Sequence, residues 1–132
     1  MTNLQLITST IHSLELNHLA LEDAEGKTEK DKSFDLSHQA IFPDDDKRMF
    51  ANSFKLHLEH PGEFTLVIEY ISWFHTDEDI DEVFQKSPFV KINAPAIAYP
   101  YLRSTVSTLT LLAGFPVTIL PTINFVQFNK VN

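Results

Sequence analysis

The chain has 132 residues, 43% of them hydrophobic, with 11 Phe, no Cys and a formal net charge of −8. This length fits one domain spanning 1–132, and the lack of Cys excludes disulfides, thiol catalysis and Cys-based zinc sites. The acidic balance argues against nucleic acid and anionic membrane surfaces, which attract a surplus of Lys and Arg.

The start, Met1-Thr2-Asn3-Leu4-Gln5, lacks the basic residues and apolar run of a signal peptide, and no stretch approaches the ~18 apolar residues of a membrane span. The expected location is cytoplasmic, with no membrane insertion. Eleven Phe exceed what one small core needs, so some are expected to line an interface or groove.

Residues 4–21 alternate loosely, with Leu4 and Leu6 on one parity and Leu14 and Leu16 again on one. This predicts a long strand with a break or bulge near Thr8-Ser9-Thr10. The polar stretch Glu22 to Lys32 has no apolar period and reads as a mobile loop. Phe34, Leu36, Ala40 and Phe42 share one face of a second strand, closed by Pro43-Asp44-Asp45-Asp46. A third carries Phe50, Phe54, Leu56 and Leu58 on one face and Ser53, Lys55, His57 and Glu59 on the other.

His60-Pro61-Gly62-Glu63 fits a type II turn, because Pro presets the first central φ and Gly permits a positive second one. The fourth strand, Phe64 to about His75, is apolar on both faces and is expected to be covered on both, by its own helix and by a loop or second subunit. Thr76 is a candidate cap for a short acidic helix, Asp77 to Phe84, ended by Ser87-Pro88. Phe89 to Ile92 reads as a brief extended piece.

The main helix is expected to begin between Asn93, a candidate N-cap, and Pro100, which either kinks it or starts it. It should run to Ala113 and stop at Gly114 and Pro116. Leu102, Val106, Leu109 and Ala113 form its apolar stripe. The opposite side carries Ser104, Thr105, Ser107, Thr108 and Thr110. Either that face is solvated, or its small side chains admit a close partner. The segment Phe115 to Phe128 is apolar but twice interrupted by Pro, so it should lie extended over an apolar surface.

No constellation supports catalysis or a resident metal. His57 and His60 are three apart, which on a strand puts them on opposite faces. The carboxylates of Asp44 to Asp46 and of Asp77 to Glu82 lie in runs that read as solvated, where acid–base chemistry is poor. What remains is an apolar strip: Tyr99, Tyr101, Phe115, Ile119, Leu120, Ile123 and Phe125. Prolines hold it extended beside a helix, an arrangement that favours a groove.

Asn93-Ala94-Pro95-Ala96-Ile97-Ala98-Tyr99-Pro100-Tyr101-Leu102-Arg103 resembles the segment that leads into the main helix of the SecB family. Gly114-Phe115-Pro116 and Leu120-Pro121-Thr122-Ile123-Asn124-Phe125 are similar to that family's post-helix segment. Residues before 93 match only in strand order and loop character. The resemblance implies an α+β fold, a four-stranded antiparallel sheet with a long helix packed on it. It implies a homotetramer built as a dimer of dimers, with helices between the sheets. It also implies a cofactor-free holdase, an export chaperone that binds non-native polypeptides and passes them to the motor SecA.

The resemblance puts the Phe115 to Phe125 segment at that family's polypeptide-binding groove, so the groove is expected on the seven strip residues, and it implies, by position, SecA-facing acidic residues at Glu15 and Glu69. The family's second amphipathic helix and SecA-binding tail have only Val126 to Asn132 in their place, which leaves the tail-mediated contact open. SecB-like chains also serve as dedicated chaperones of a single partner such as an antitoxin, so that reading stands as the alternative. A small-ligand or enzymatic role in the same fold rests only on the histidines and acidic clusters.

Overall fold

The computed structural model describes residues 3–19 and 32–131. Four strands, β1 (Leu4–His18), β2 (Ser33–Ile41), β3 (Met49–His60) and β4 (Phe64–Thr76), form one antiparallel sheet in the order β1-β4-β3-β2. A short helix α1 (Glu82–Gln85), a π-helical turn (Phe89–Asn93), a long helix α2 (Ala94–Leu112) and a terminal helix α3 (Phe125–Val131) follow. This is the α+β class that the resemblance implies. Nearly all of the stretch read as a mobile loop, Glu22 to Lys32, lies outside the described residues.

The chain divides into two compact units, and each strand contributes to both. One unit comprises Thr10–Gln39 and Ser53–Ile71. Its core is the even-numbered face of β3 and β4: Phe54, Leu56, Leu58, Phe64, Leu66, Ile68 and Tyr70, with Leu36 of β2. Side chains on a strand alternate between faces, so one parity is removed from water along the whole hairpin. Each such Leu, Ile or Phe contributes roughly 1.5–3 kcal/mol relative to exposure.

The hairpin turn forms as expected. Gly62 has φ +79° and the Glu63 amide donates to the His60 carbonyl at 3.0 Å. Ser53, on the face of β3 that carries Lys55, His57 and Glu59, is buried. Val67, on the odd face of β4 for which a loop or second subunit was the expected cover, is 44% exposed in the single chain.

The other unit comprises Met1–Ser9, Ala40–Asn52 and Ser72–Asn132. Its centre is the Phe50 ring, which stacks on Phe42 and Phe74 at 5.8 and 5.4 Å and meets Phe84 edge-on at 5.7 Å; Phe84 in turn stacks on Phe89. Five of the eleven Phe thus associate with one another inside this unit. β1 is one strand, but its half-buried positions run Leu4, Leu6 and then Ser9. That shift of parity falls where an irregularity was expected.

The region before α2 corrects three local readings. Thr76 ends β4 and donates its hydroxyl to the Glu78 carbonyl at 2.7 Å. The helix cap is Asp81, whose carboxylate accepts the Phe84 amide at 2.8 Å. Residues 89–92 are a π turn, because Pro88 already has helical φ and ψ of −59° and −24° and the Ala94 amide closes onto the Phe89 carbonyl. Asn93 therefore has helical dihedrals of its own, φ −67° and ψ −48°, and makes no side-chain cap.

The chain enters α2 already wound and passes through Pro100. Proline at this position takes away the amide partner of the Ala96 carbonyl. Ala96 and Pro100 are both exposed, so water can serve that carbonyl. The buried stripe of α2 is Ala94, Pro95, Ala98, Tyr99, Leu102, Val106 and Thr110. Steps of four from Ala94 bring it to Thr110, so Thr110 leaves the hydroxyl face assigned to it and the predicted Ala113 is exposed. The helix stops as expected. Gly114 has φ +90°, the Gly114 amide bonds the Leu111 carbonyl at 3.1 Å and the Phe115 amide bonds the Thr110 carbonyl at 3.0 Å, which is the Schellman arrangement. Residues 125–131 form α3, so the extended reading holds only as far as Asn124.

Candidate functional site

The seven strip residues all belong to the unit that holds α2, and they divide by burial. Tyr99, Leu120 and Phe125 are buried, Phe115 and Ile123 are half-buried, and Tyr101 and Ile119 are 52% and 73% exposed. The buried three form an anchor. The Tyr99 ring meets Phe125 edge-on at 5.7 Å, and Phe125 meets Phe128 at 5.6 Å. Leu111, Leu112 and Val117 are further exposed apolar groups of the same unit.

Residues 115–124 form a strap with no strand partner, so its backbone groups need other partners. Side chains of α2 supply them. The Tyr99 hydroxyl donates to the Pro121 carbonyl at 2.6 Å, and Arg103 Nε donates to the Leu120 carbonyl at 3.1 Å. Ser107 Oγ donates to the Thr118 carbonyl at 2.8 Å, and the Thr118 amide donates to Thr110 Oγ1 at 3.1 Å. Helical positions 99, 103, 107 and 110 share one face. As the helix number rises the strap number falls, so the strap runs antiparallel to α2. Long side chains, Tyr and Arg, reach it at one end, and short hydroxyls meet it closely at the other.

Burial pushes the Tyr99 phenol up to about 12, with the Arg103 cation pulling the other way. The hydroxyl therefore stays protonated and remains a donor at neutral pH. Asn124 starts α3 by accepting the Val126 and Gln127 amides at 3.0 and 3.3 Å. Asn129 fastens the other end of the region, donating to the Lys91 carbonyl at 2.6 Å.

The family model described as preprotein translocase subunit SecB matches residues 29–131. The chain belongs to the SecB family. Within that family it is 40% identical over 67 residues to the protein-export protein SecB of Roseobacter denitrificans, a match covering 51% of this chain and 39% of that one. It is also 43% identical over 60 residues to an uncharacterized protein of Methanocaldococcus jannaschii, covering 45% and 37%. The chain thus matches about two fifths of the length of these curated relatives. The fold is similar to that of a Mycobacterium tuberculosis SecB-like chaperone solved in complex with an antitoxin peptide. The TM-score is 0.66 at 15% identity, over 91% of this chain and 89% of that one.

The SecB-like segments now have physical roles. Arg103 holds the strap, Gly114 turns the helix into it, and Asn124 opens α3. Ser107 and Thr110 were missed as strap holders. Their signal in the sequence was the hydroxyl run itself, which does not say which hydroxyl points where.

The acidic pair occupies the other unit. Glu15 on β1 is exposed and accepts from Asn17 Nδ2 at 3.2 Å. Glu69 on β4 is half-buried and accepts from Ser53 Oγ at 3.5 Å. β1 and β4 are neighbours in the sheet. A further apolar concavity of about 240 Å³ opens beside α1, where Val83, Phe84 and Phe89 are rimmed by Glu78, Asp79 and Asp81. Sequence reading had assigned that stretch to a solvated charge run. Among the described residues no helix is long and apolar enough to cross a membrane.

Proposed function

We propose that this protein is a holdase that binds extended apolar segments of non-native polypeptides along the strip beside the strap. Tyr101, Phe115, Ile119 and Ile123 make the contacts, and Tyr99, Leu120 and Phe125 form the floor beneath them. The observation that carries this reading is the exposure of large apolar groups on and beside an anchored strap, with Ile119 at 73% and Leu112 at 79% in a chain of the SecB family. Burying such groups against a client stabilises by roughly 25 cal/mol per Å². Ordering the client opposes this, so each short contact is weak.

Affinity then comes from several sites acting on one client, which self-association into a homotetramer would supply. On this reading the purpose is protein export, in the cytoplasm, with SecA as the receiving partner and Glu15 and Glu69 as its contacts. The mechanism needs no cofactor and no covalent step. The test combines solution mass with capture of a permanently unfolded protein. A tetramer that keeps the client soluble supports the reading. A monomer that leaves the client to aggregate in the presence of excess protein overturns it.

A second reading is a dedicated chaperone of one small partner. Its support is the antitoxin peptide in the complex of the mycobacterial fold neighbour. Affinity capture from the host lysate separates the two. One dominant small partner selects the dedicated role, and a broad set of precursors selects export.

A further inference from the structure

Two hydroxyls on α2 take both main-chain groups of a single strap residue. Ser107 Oγ donates to the Thr118 carbonyl, and Thr110 Oγ1 accepts the Thr118 amide. Thr110 is suited to accept because its own proton turns back into the helix, toward the carbonyls of Val106 and Ser107 at 3.0 and 3.1 Å. An extended residue presents its N–H and C=O to the same side, which is how one β-strand offers itself to the next. The pair therefore acts as a one-residue strand edge built from helix side chains. These two bonds go to main-chain atoms, so neither depends on what side chain the bound residue carries.

The stretch they hold is otherwise lightly attached. Val117 and Ile119 point to solvent, while the buried anchor begins at Leu120, whose carbonyl Arg103 holds separately. At the other end Gly114 is a pivot, with φ +90° and no atom within 4 Å of where a Cβ would stand. Phe115 is held by the Thr110 carbonyl at the helix stop, so Val117 to Ile119 are the part of the strap that loss of the two hydroxyl bonds would free, whereas Thr110 is fully buried while they stay.

We propose that Ser107 and Thr110 form a backbone-reading site for one residue of an extended client, and that Thr118 occupies it as an internal stand-in which the client displaces. This deepens the holdase reading and rests on it. The ligand class is the main chain of an extended, non-native polypeptide, read without regard to sequence. Apolar side chains flanking the bound residue meet the strip that the strap leaves open. Because the strap is tethered it competes at high effective concentration, so only clients with such side chains displace it.

The experiment measures capture of carboxymethylated, permanently unfolded lactalbumin by the full chain, with hydrogen exchange of the Thr118 amide followed in parallel. Thr118→Pro removes the strap's amide and leaves the reader intact, so capture should tighten at least 3-fold. Ser107→Ala with Thr110→Val removes the reader, so capture should weaken at least 3-fold. A merely structural tether moves both variants in the same direction, and that result overturns the inference. In the unaltered protein the Thr118 amide should exchange at least 10-fold faster when client is saturating. Retained protection with client bound overturns the inference while leaving the holdase reading in place. No capture by the unaltered protein removes both.

Discussion

β4 and the strap are both extended and apolar, yet their backbones are served in different ways. β4 lies between β1 and β3, so neighbouring main chains take its amides and carbonyls whatever its side chains are. Its alternating pattern then needs only to bury one parity, and Phe64 through Thr76 does so at every even position. The strap has no neighbouring strand and depends on particular side chains at Tyr99, Arg103, Ser107 and Thr110. A strand tolerates substitution on its open face, whereas the strap concentrates its dependence in a few helix residues. A segment held by two hydroxyls is also one that can be released.

Substitutions test that contrast, beginning with the largest expected effect. Phe74→Ala removes a fully buried ring stacked on Phe50 and should cost about 3–5 kcal/mol in urea denaturation. A loss under about 1 kcal/mol would mean that β4 does not depend on this core. Thr110→Val keeps the shape and leaves the Thr118 amide without its acceptor, so the cost should be about 1–3 kcal/mol. An unchanged midpoint would break the account of how the strap is held.

Gly114→Ala meets no atom and should cost about 1 kcal/mol from the positive φ alone. A much larger loss would indicate a steric role.

Tyr99 gives a pH signature. Its folded pKa is raised to about 12 by burial, above the ordinary value near 10. The folded state therefore keeps a proton that the unfolded state loses. The associated stability is complete below pH 10 and falls as pH rises toward 12. Tyr99→Phe should abolish that part of the alkaline slope in denaturation midpoints. Absorbance titration should show a late-forming tyrosinate in the parent protein that the variant lacks. The smallest effect on stability is expected for Ile119→Ser, within about 0.5 kcal/mol because the side chain is exposed. Client capture should nevertheless fall several-fold. Normal capture would remove Ile119 from the site.

Much of the fold is legible where a short run of residues carries the whole reason. His60-Pro61-Gly62-Glu63 specifies its turn through two φ preferences. Gly114 followed by Pro116 specifies a helix stop. The alternation from Phe54 to Tyr70 specifies a buried face. The errors cluster where a local preference met a tertiary partner. Thr76 is a good cap in isolation, but its hydroxyl is engaged with the Glu78 carbonyl, and Asp81 caps instead. Phe89 to Ile92 is rich in strand formers. It winds into a π turn because Pro88 is already helical and Phe89 stacks on Phe84.

The seven strip residues share the unit that holds α2, but no periodicity separates buried Leu120 from exposed Ile119. Neighbours along an extended chain point opposite ways, and only the partner on one side decides which way is in.

By itself the sequence determined the strand order of the hairpin, the helix and its stop, the acidic surface and the membership carried by the Pro100 and Pro121 segments. Each of these depends on residues close together in the chain. The tertiary structure decided which hydroxyls of α2 face the strap, which strip residues anchor and which stay open, and that five Phe rings close on one another. Those outcomes depend on distance in space, because a hydrogen bond or a ring contact forms only where folding has brought two distant groups together.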